Sequence, residues 1–371
     1  MSLAPAPTPA GTTGPGAPAR RGGQAVVAVV VTRGRSVYLP RALVCLAEQT
    51  LTPSAVVLVD TGPHDDPGIR EMALRCGLAP ETLTVVRAQG APTFARAVRA
   101  GLAATETHPD QLFFLLHDDC YAQADCLSAL ARAIELAPSV VIAGPKQLRA
   151  DLPDTLGEVG VTTSRFGRRM TGAKDGELDQ GQYDQREDVL GVGSAGMLIR
   201  ADAWAELGGL DPWLGPFGDG LDLSRRARLA GHRVIVVPGA VVNHEQAAYR
   251  GLRGKSGKPD PRRSFWSRRR AFVYTQLVGL PLPLVPVALV AAVVMGIGRA
   301  VWRVATKEPV LALAELWGPL RAVLHPWRIA AARRRARHTR RLRRSTLRPL
   351  QATQREVRQL RRDRRLARAD A

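Results

Sequence analysis

Residues 111–119, Gln-Leu-Phe-Phe-Leu-Leu-His-Asp-Asp, decide how the chain is read. Gln111 to Leu116 has buried-strand character and stops abruptly at His117, Asp118 and Asp119. An apolar run of that length fits a central strand of an α/β sheet, delivering acids to its carboxyl edge. In open α/β sheets that edge is where ligands bind. Adjacent carboxylates repel each other unless a proton or cation lies between them. A hard divalent ion gripping a diphosphate is the usual reason to keep such a pair. The plainer alternative is a solvated strand-to-helix turn with an aspartate cap.

Upstream of this strand, Ala25 to Val31 is a continuous Ala/Val run, as expected of a parallel strand covered on both faces. Helical periodicity over 38–49 leads to a strand at 55–59 that ends in Asp60. A helix over 67–76 closes at Gly77, followed by a strand at 83–86 and a helix over 94–102. Downstream come a helix over 123–137 and a strand at 139–143, then a turn at Gly144-Pro145. This alternation predicts a doubly wound, mixed but mostly parallel sheet with right-handed crossovers. It sets Thr32, Asp60 and Asp118 at one sheet edge, as a nucleotide site requires. Neither GxGxxG nor GxxxxGK(S/T) follows the first strand, which argues against dinucleotide and P-loop sites.

The second half is less regular. Residues 150–188 read as long loops with a hairpin, and Gly191, Gly193 and Gly196 mark close backbone approach. A helix over 201–207 ends at Gly208-Gly209, and a second helix, carrying Asp219 and Asp222, ends at Gly231. A strand at 233–237 then leads to His244. Cys45, Cys76, Cys120 and Cys126 show neither CxxC pairing nor metal-site spacing, so ordinary core thiols in a reducing compartment are expected. Residues 1–24 are rich in Ala, Pro, Gly and Thr without an apolar signal region, and are expected to be disordered.

These motifs in this order resemble a family 2 glycosyltransferase: VLVDTG with Asp60, FARAVRAGL, LLHDD, GSAGML, GGLDPWLGPFGDGLDLSRRARLAGHRV and VVNHE. The similarity is closest to the membrane-associated type of high-GC bacteria and covers about residues 25–245, and the catalytic domain is expected to span 25–250. It implies a GT-A fold, a nucleotide-diphosphate sugar donor, a divalent metal (Mg or Mn) and inversion at the anomeric carbon. It further implies that Asp60 and Thr32 hold the nucleotide, Asp118 and Asp119 stand at the metal–diphosphate position, and His244 completes the metal shell. Asp219 or Asp222 would be the base, with Arg99 as a further substrate contact. Trp213, in the loop before Asp219, suits either stacking on a sugar face or a core or lid position. Two positions depart from the family pattern: Arg99 replaces an Asn, and Gly220 stands where an acid is usual. They leave open a catalytically inactive scaffold, and the paired acids also suit a nucleotidyltransferase. If Asp219 and Asp222 do no chemistry, they favour a helix N-terminus.

The charge is unevenly placed. Of the net +20, residues 325–371 hold 17 Arg against three acids, so residues 1–270 are close to neutral. After a basic linker at 251–270, residues 271–298 carry no charge, long enough for a bilayer but interrupted by Pro281, Pro283 and Pro286. Arginines flank both ends, which favours a re-entrant hairpin tipped by the prolines, or two half-length helices lying in the interface, over a single crossing. Residues 299–324 read as amphipathic and interfacial, and the Arg-rich tail as helical on an anionic membrane. Aromatics are nearly absent after Trp327, which disfavours nucleic acid. The expected setting is the cell membrane, with the catalytic domain cytoplasmic and a lipid-linked or envelope-polysaccharide acceptor.

Overall fold

The structure is a computed structural model describing residues 24–91, 93–215, 217–253 and 259–369. Apart from Gln24, the segment expected to be disordered lies outside the described residues. Four parallel strands begin the sheet: β1 (Val26–Thr32), β2 (Ala55–Asp60), β3 (Leu83–Arg87) and β4 (Leu112–His117). Helices α1 (Leu39–Ala47), α2 (Gly68–Arg75) and α3 (Phe94–Ala103) are the crossovers. The short strand β5 (Cys120–Ala122) follows β4 directly, then α4 (Cys126–Leu136) and β6 (Val140–Arg149). Beyond β7 (Leu156–Glu158) lies the small hairpin β8 (Thr162–Thr163) and β9 (Arg169–Met170). β10 (Met197–Arg200), α5 (Ala201–Leu207), α6 (Asp219–Ala230) and β11 (Arg233–His244) complete the α/β domain.

The sheet order is β3-β2-β1-β4-β10-β6-β11-β5, with β7 on β6. It is mixed because β10 runs antiparallel to both β4 and β6, and β5 antiparallel to β11. Side chains alternate between two cores, which explains the unbroken apolar strands. Ala28, Val30, Phe114 and Leu116 face α1, α2 and α4, while Val29, Phe113 and Leu115 face α3, α5 and α6.

The turn expected at Gly144-Pro145 does not form. β6 runs through it, with Pro145 opposite Val237 of β11. Pro145 lies past the end of β10, so its missing N–H costs no ladder bond on that side. Gly144 is needed there, since a β-carbon would sit 2.5 Å from Val192.

The C-terminal third is helical: α7 (Pro261–Gly279), α8 (Val285–Ala305), α9 (Pro309–Leu324), α10 (Pro326–His338) and α11 (Gln354–Ala369). Residues 261–270 of the expected linker are thus helical. The charge-free run does bend at the prolines, but its first half is a packed helix rather than a lipid-facing arm. Val273, Leu277 and Val278 are buried with Ala292, Ile329 and Ala332. Among the described residues, one helix is long and apolar enough to cross a membrane, Leu282–Ala305, with mean hydropathy 2.2 and 17% of its apolar window buried. It packs on α9, where buried Glu315 receives Arg269 and Arg299 at 2.8 Å each.

Part of the Arg-rich tail packs on the α/β domain. Arg341 and Leu342 donate backbone N–H groups to Leu229 O at 2.8 Å, and Ala352 N donates to Thr163 O at 3.0 Å. Leu347 is buried among Val161, Leu190, Leu221 and Leu229. An apolar anchor and paired backbone groups therefore hold residues 341–352 on the α/β domain.

Candidate active site

A cleft of about 1380 Å³ opens at the carboxyl edge of the sheet. Parallel register sets Thr32 beside Asp60, and β1 pairing with β4 brings Val31 beside His117. The chain then turns through Asp118 and Asp119 into β5, which pairs with the end of β11 so that His244 lies opposite Cys120. This pairing carries His244 across the sequence to Asp119.

The result is a cluster of His117, Asp119 and His244 whose ligand atoms lie within 4.8 Å of one another. Asp119 Oδ1 is 3.6 Å from His244 Nε2 and 4.0 Å from His117 Nδ1. The outer nitrogens are engaged elsewhere: His244 Nδ1 with Gln147 Oε1 at 3.0 Å, and His117 Nε2 with Ser194 Oγ at 3.3 Å. Such outer partners orient imidazoles so that the inner lone pairs face a cation. Burial pushes His117 down to about 3, leaving a neutral ring as a ligand requires. Burial alone would raise the Asp119 carboxyl, but His244, Arg253 and His117 hold it well below the usual range. The donor set fits a divalent metal.

Asp118 is turned away from this cluster. Its Oδ2 is 3.1 Å from Thr32 Oγ1 and its Oδ1 contacts Arg253, whose guanidinium also lies 3.0 Å from Asp119 Oδ1. Of the three expected ligands, then, Asp119 and His244 meet, and His117 takes the place given to Asp118. His117 ends β4 and Asp119 lies in the turn after it, so the turn rather than strand alternation brings them together, and the sequence carried no signal of it. Arg253 likewise had none, being 135 residues from Asp118.

Residues 191–194 face the N-terminus of α6. Asp219 is 4% exposed and accepts from Gly220 N at 2.8 Å and Ser194 Oγ at 3.2 Å. Burial pushes its carboxyl up to about 6. One hydroxyl, Ser194 Oγ, thus bridges Asp219 and His117. Gly220 is a packing requirement: a β-carbon would lie 2.5 Å from Val192 O and 2.7 Å from Ser194 N. An acid at 220 has no room, and Asp219 is the carboxylate that the start of α6 presents to the cleft.

Residues 23–258 match the family described as glycosyltransferase like family 2. The chain belongs to that family. No curated protein sequence matches it. The glycosyltransferase fold is similar to that of GalNAc-T7, solved with UDP, GalNAc and Mn2+, with TM-score 0.52 and 14% identity. That likeness covers 70% of this chain and 52% of the other, about half its length. PcManGT, a mannosyltransferase of Pyrobaculum calidifontis solved with GDP-Man and Mn2+, aligns at 16% identity and TM-score 0.49 over 82% of this chain and 89% of that one. S. aureus TarS with UDP aligns at 14% identity and TM-score 0.44 over 83% and 92%.

The remaining expected contacts lie outside this cleft. Asp222 pairs with buried Arg226 at 2.9 Å, one turn along α6. Trp213 stacks on Arg96 and Arg328, with guanidinium carbons 4.9 and 4.2 Å from its ring centre. Arg99 is exposed on α3 and reaches Gly208 O at 3.3 Å. Asp60 lines a smaller hollow of about 200 Å³. Its carboxylate is taken by Gly34 N and Gly62 N, both at 2.7 Å, and by Arg87. It organises the loops after β1 and β2.

Proposed function

We propose that this enzyme inverts configuration while moving a sugar from a nucleotide-diphosphate donor to a lipid-linked or cell-envelope polysaccharide acceptor at the cytoplasmic face of a membrane. One observation carries the reading: His117, Asp119 and His244 line the same cleft as Asp219, with Ser194 bridging the two groups. His117, Asp119 and His244 would hold a divalent cation, and two imidazole donors favour Mn over the harder Mg. When bound, that ion supplies Lewis-acid stabilisation to the charge growing on a departing diphosphate. The UDP and Mn2+ in GalNAc-T7 support the assignment.

Arg253 gives the same region a second positive charge, suited to a phosphate once it leaves the paired acids. Thr32 and Asp118 position the first loop, while Asp60 shapes the nucleotide end through Gly34 and Gly62. Asp219 takes the proton from the acceptor hydroxyl, and a carboxylate titrating near 6 is charged at neutral pH yet more basic than an exposed acid. Membrane attachment is supported by α8, where Val287, Val290, Val294 and Val301 are each more than 60% exposed.

The test is a panel of nucleotide sugars given to the full chain with Mn, reading the released nucleotide. Release of a nucleoside diphosphate, abolished by Asp219→Asn, is the expected result. Release of pyrophosphate would mark a nucleotidyltransferase. Donor binding without release across the panel would mark an inactive scaffold. Cell fractionation tests the location: the chain should leave the membrane fraction when Val290 and Val294 become Lys.

A further inference from the structure

Four arginines meet where the catalytic domain joins the helical layer: Arg96 on α3, Arg270 on α7, Arg321 on α9 and Arg328 on α10. Arg96 and Arg328 lie against the ring of Trp213. Arg270 reaches the same loop so closely that a β-carbon on Gly215 would be 2.6 Å from its Nη2. Arg321 neighbours both Arg270 and Arg328, and the mutual repulsion, added to burial, lowers the pKa of those two. Among the described residues no carboxylate pairs with any of the four. Asp211, which accepts from Trp213 N at 2.9 Å, is already taken by Arg335 and by the Tyr274 hydroxyl, both at 2.8 Å. The Arg328 Nε is buried without a hydrogen-bond partner.

Cations gathered around one indole ring and its loop, with a buried donor unused, are stabilised by an anion that offers several acceptor oxygens. Guanidinium forks match phosphate oxygens well. The border of the cluster says what kind of phosphate fits. Leu320, Leu324 and Trp327, adjoining Arg321 and Arg328 in the chain, are exposed by 43%, 51% and 59%. A cationic centre flanked by open hydrocarbon suits an amphiphile. We propose that Arg96, Arg270, Arg321 and Arg328 form a binding site for the phosphate group of a lipid. The loop that carries Trp213 and Gly215 lies between α5 and α6, shortly before Asp219 in the chain, so the bound phosphate would sit near the helix N-terminus that presents the base.

Binding is measured without donor or metal, so its outcome is separate from that of glycosyl transfer. The full chain in neutral detergent is titrated with three probes, short-chain phosphatidic acid, farnesyl phosphate and inorganic phosphate, following thermal stabilisation. Either lipid phosphate should stabilise the protein at concentrations where inorganic phosphate does not. Preference for phosphatidic acid assigns a bilayer lipid, and preference for farnesyl phosphate an isoprenoid acceptor. Arg270→Gln with Arg328→Gln should weaken binding by about tenfold or more, the scale of lost charge-assisted hydrogen bonds. The charge-matched tail pair Arg337→Gln with Arg340→Gln should change it less than about twofold if only the seam binds. Equal loss in both pairs, or equal binding of inorganic phosphate, overturns the proposal. If the seam pair fails to fold, Arg96→Gln alone is read against the same two standards.

Discussion

Asp219→Asn should separate two consequences of one buried carboxyl. The group is 4% exposed, and burial raises it from the ordinary 3.8 to about 6. A shift of about two units corresponds to roughly 3 kcal/mol at 1.36 kcal/mol per unit, an upper bound that relaxation reduces. The sign follows from the fold favouring the protonated form. Asp219 therefore costs the fold nothing below about pH 4, and the penalty grows as pH rises through about 6. Asn keeps the oxygen that accepts from Gly220 N and Ser194 Oγ but carries no charge to desolvate. In urea unfolding with a chelator present, the variant should match the parent at the acid end. At pH 8 it should be more stable by about 1–3 kcal/mol. Turnover should fall by about 10²–10⁴, the usual worth of a general base. The parent's kcat/KM should rise with pH to a plateau above about 6. A variant destabilised at pH 8 would refute the desolvation argument, and one that turns over normally would refute the role of Asp219 as base.

His117→Gln should abolish the thermal stabilisation that Mn gives the parent while leaving the metal-free protein folded, because the ring nitrogen toward Asp119 is lost. Asp118→Asn should keep Mn stabilisation and chiefly loosen Arg253; if it instead removes Mn binding, the ligand set is wrong. Gly220→Ala forces a methyl against Val192 O and should destabilise by about 1–3 kcal/mol in denaturant unfolding. Leu347→Ala should cost about 2–5 kcal/mol if residues 341–352 are held to the catalytic domain, and near zero if they are not.

Much of the catalytic half could be read from apolar runs. β1, β2 and β4 announce themselves because burial on both faces leaves no polar positions, and their last residues bring Thr32 and Asp60 together with the acids that follow. What could not be read were long-range pairings. Nothing in the spacing says that β11 lies beside β5, or that Arg253 folds back on Asp118. Gly144-Pro145 looked like a turn because local chemistry favours one, and tertiary pairing overrode it. Gly220 looked like a missing acid until the backbone of 192–194 was seen pressed against it. In the C-terminal third, composition described the apolar run and the arginines correctly. It could not tell a helix buried among neighbours from one facing lipid, since both demand the same side chains.

The pairing of β11 with β5 has a consequence for how the enzyme holds its ion. His117 and Asp119 arrive with the first half of the sheet, His244 only with its final strand. A cation bound by all three would act as a rivet through that seam. Fraying of the last strand would release the ion before the rest of the domain loosened, and metal loss would be the earliest sign of unfolding.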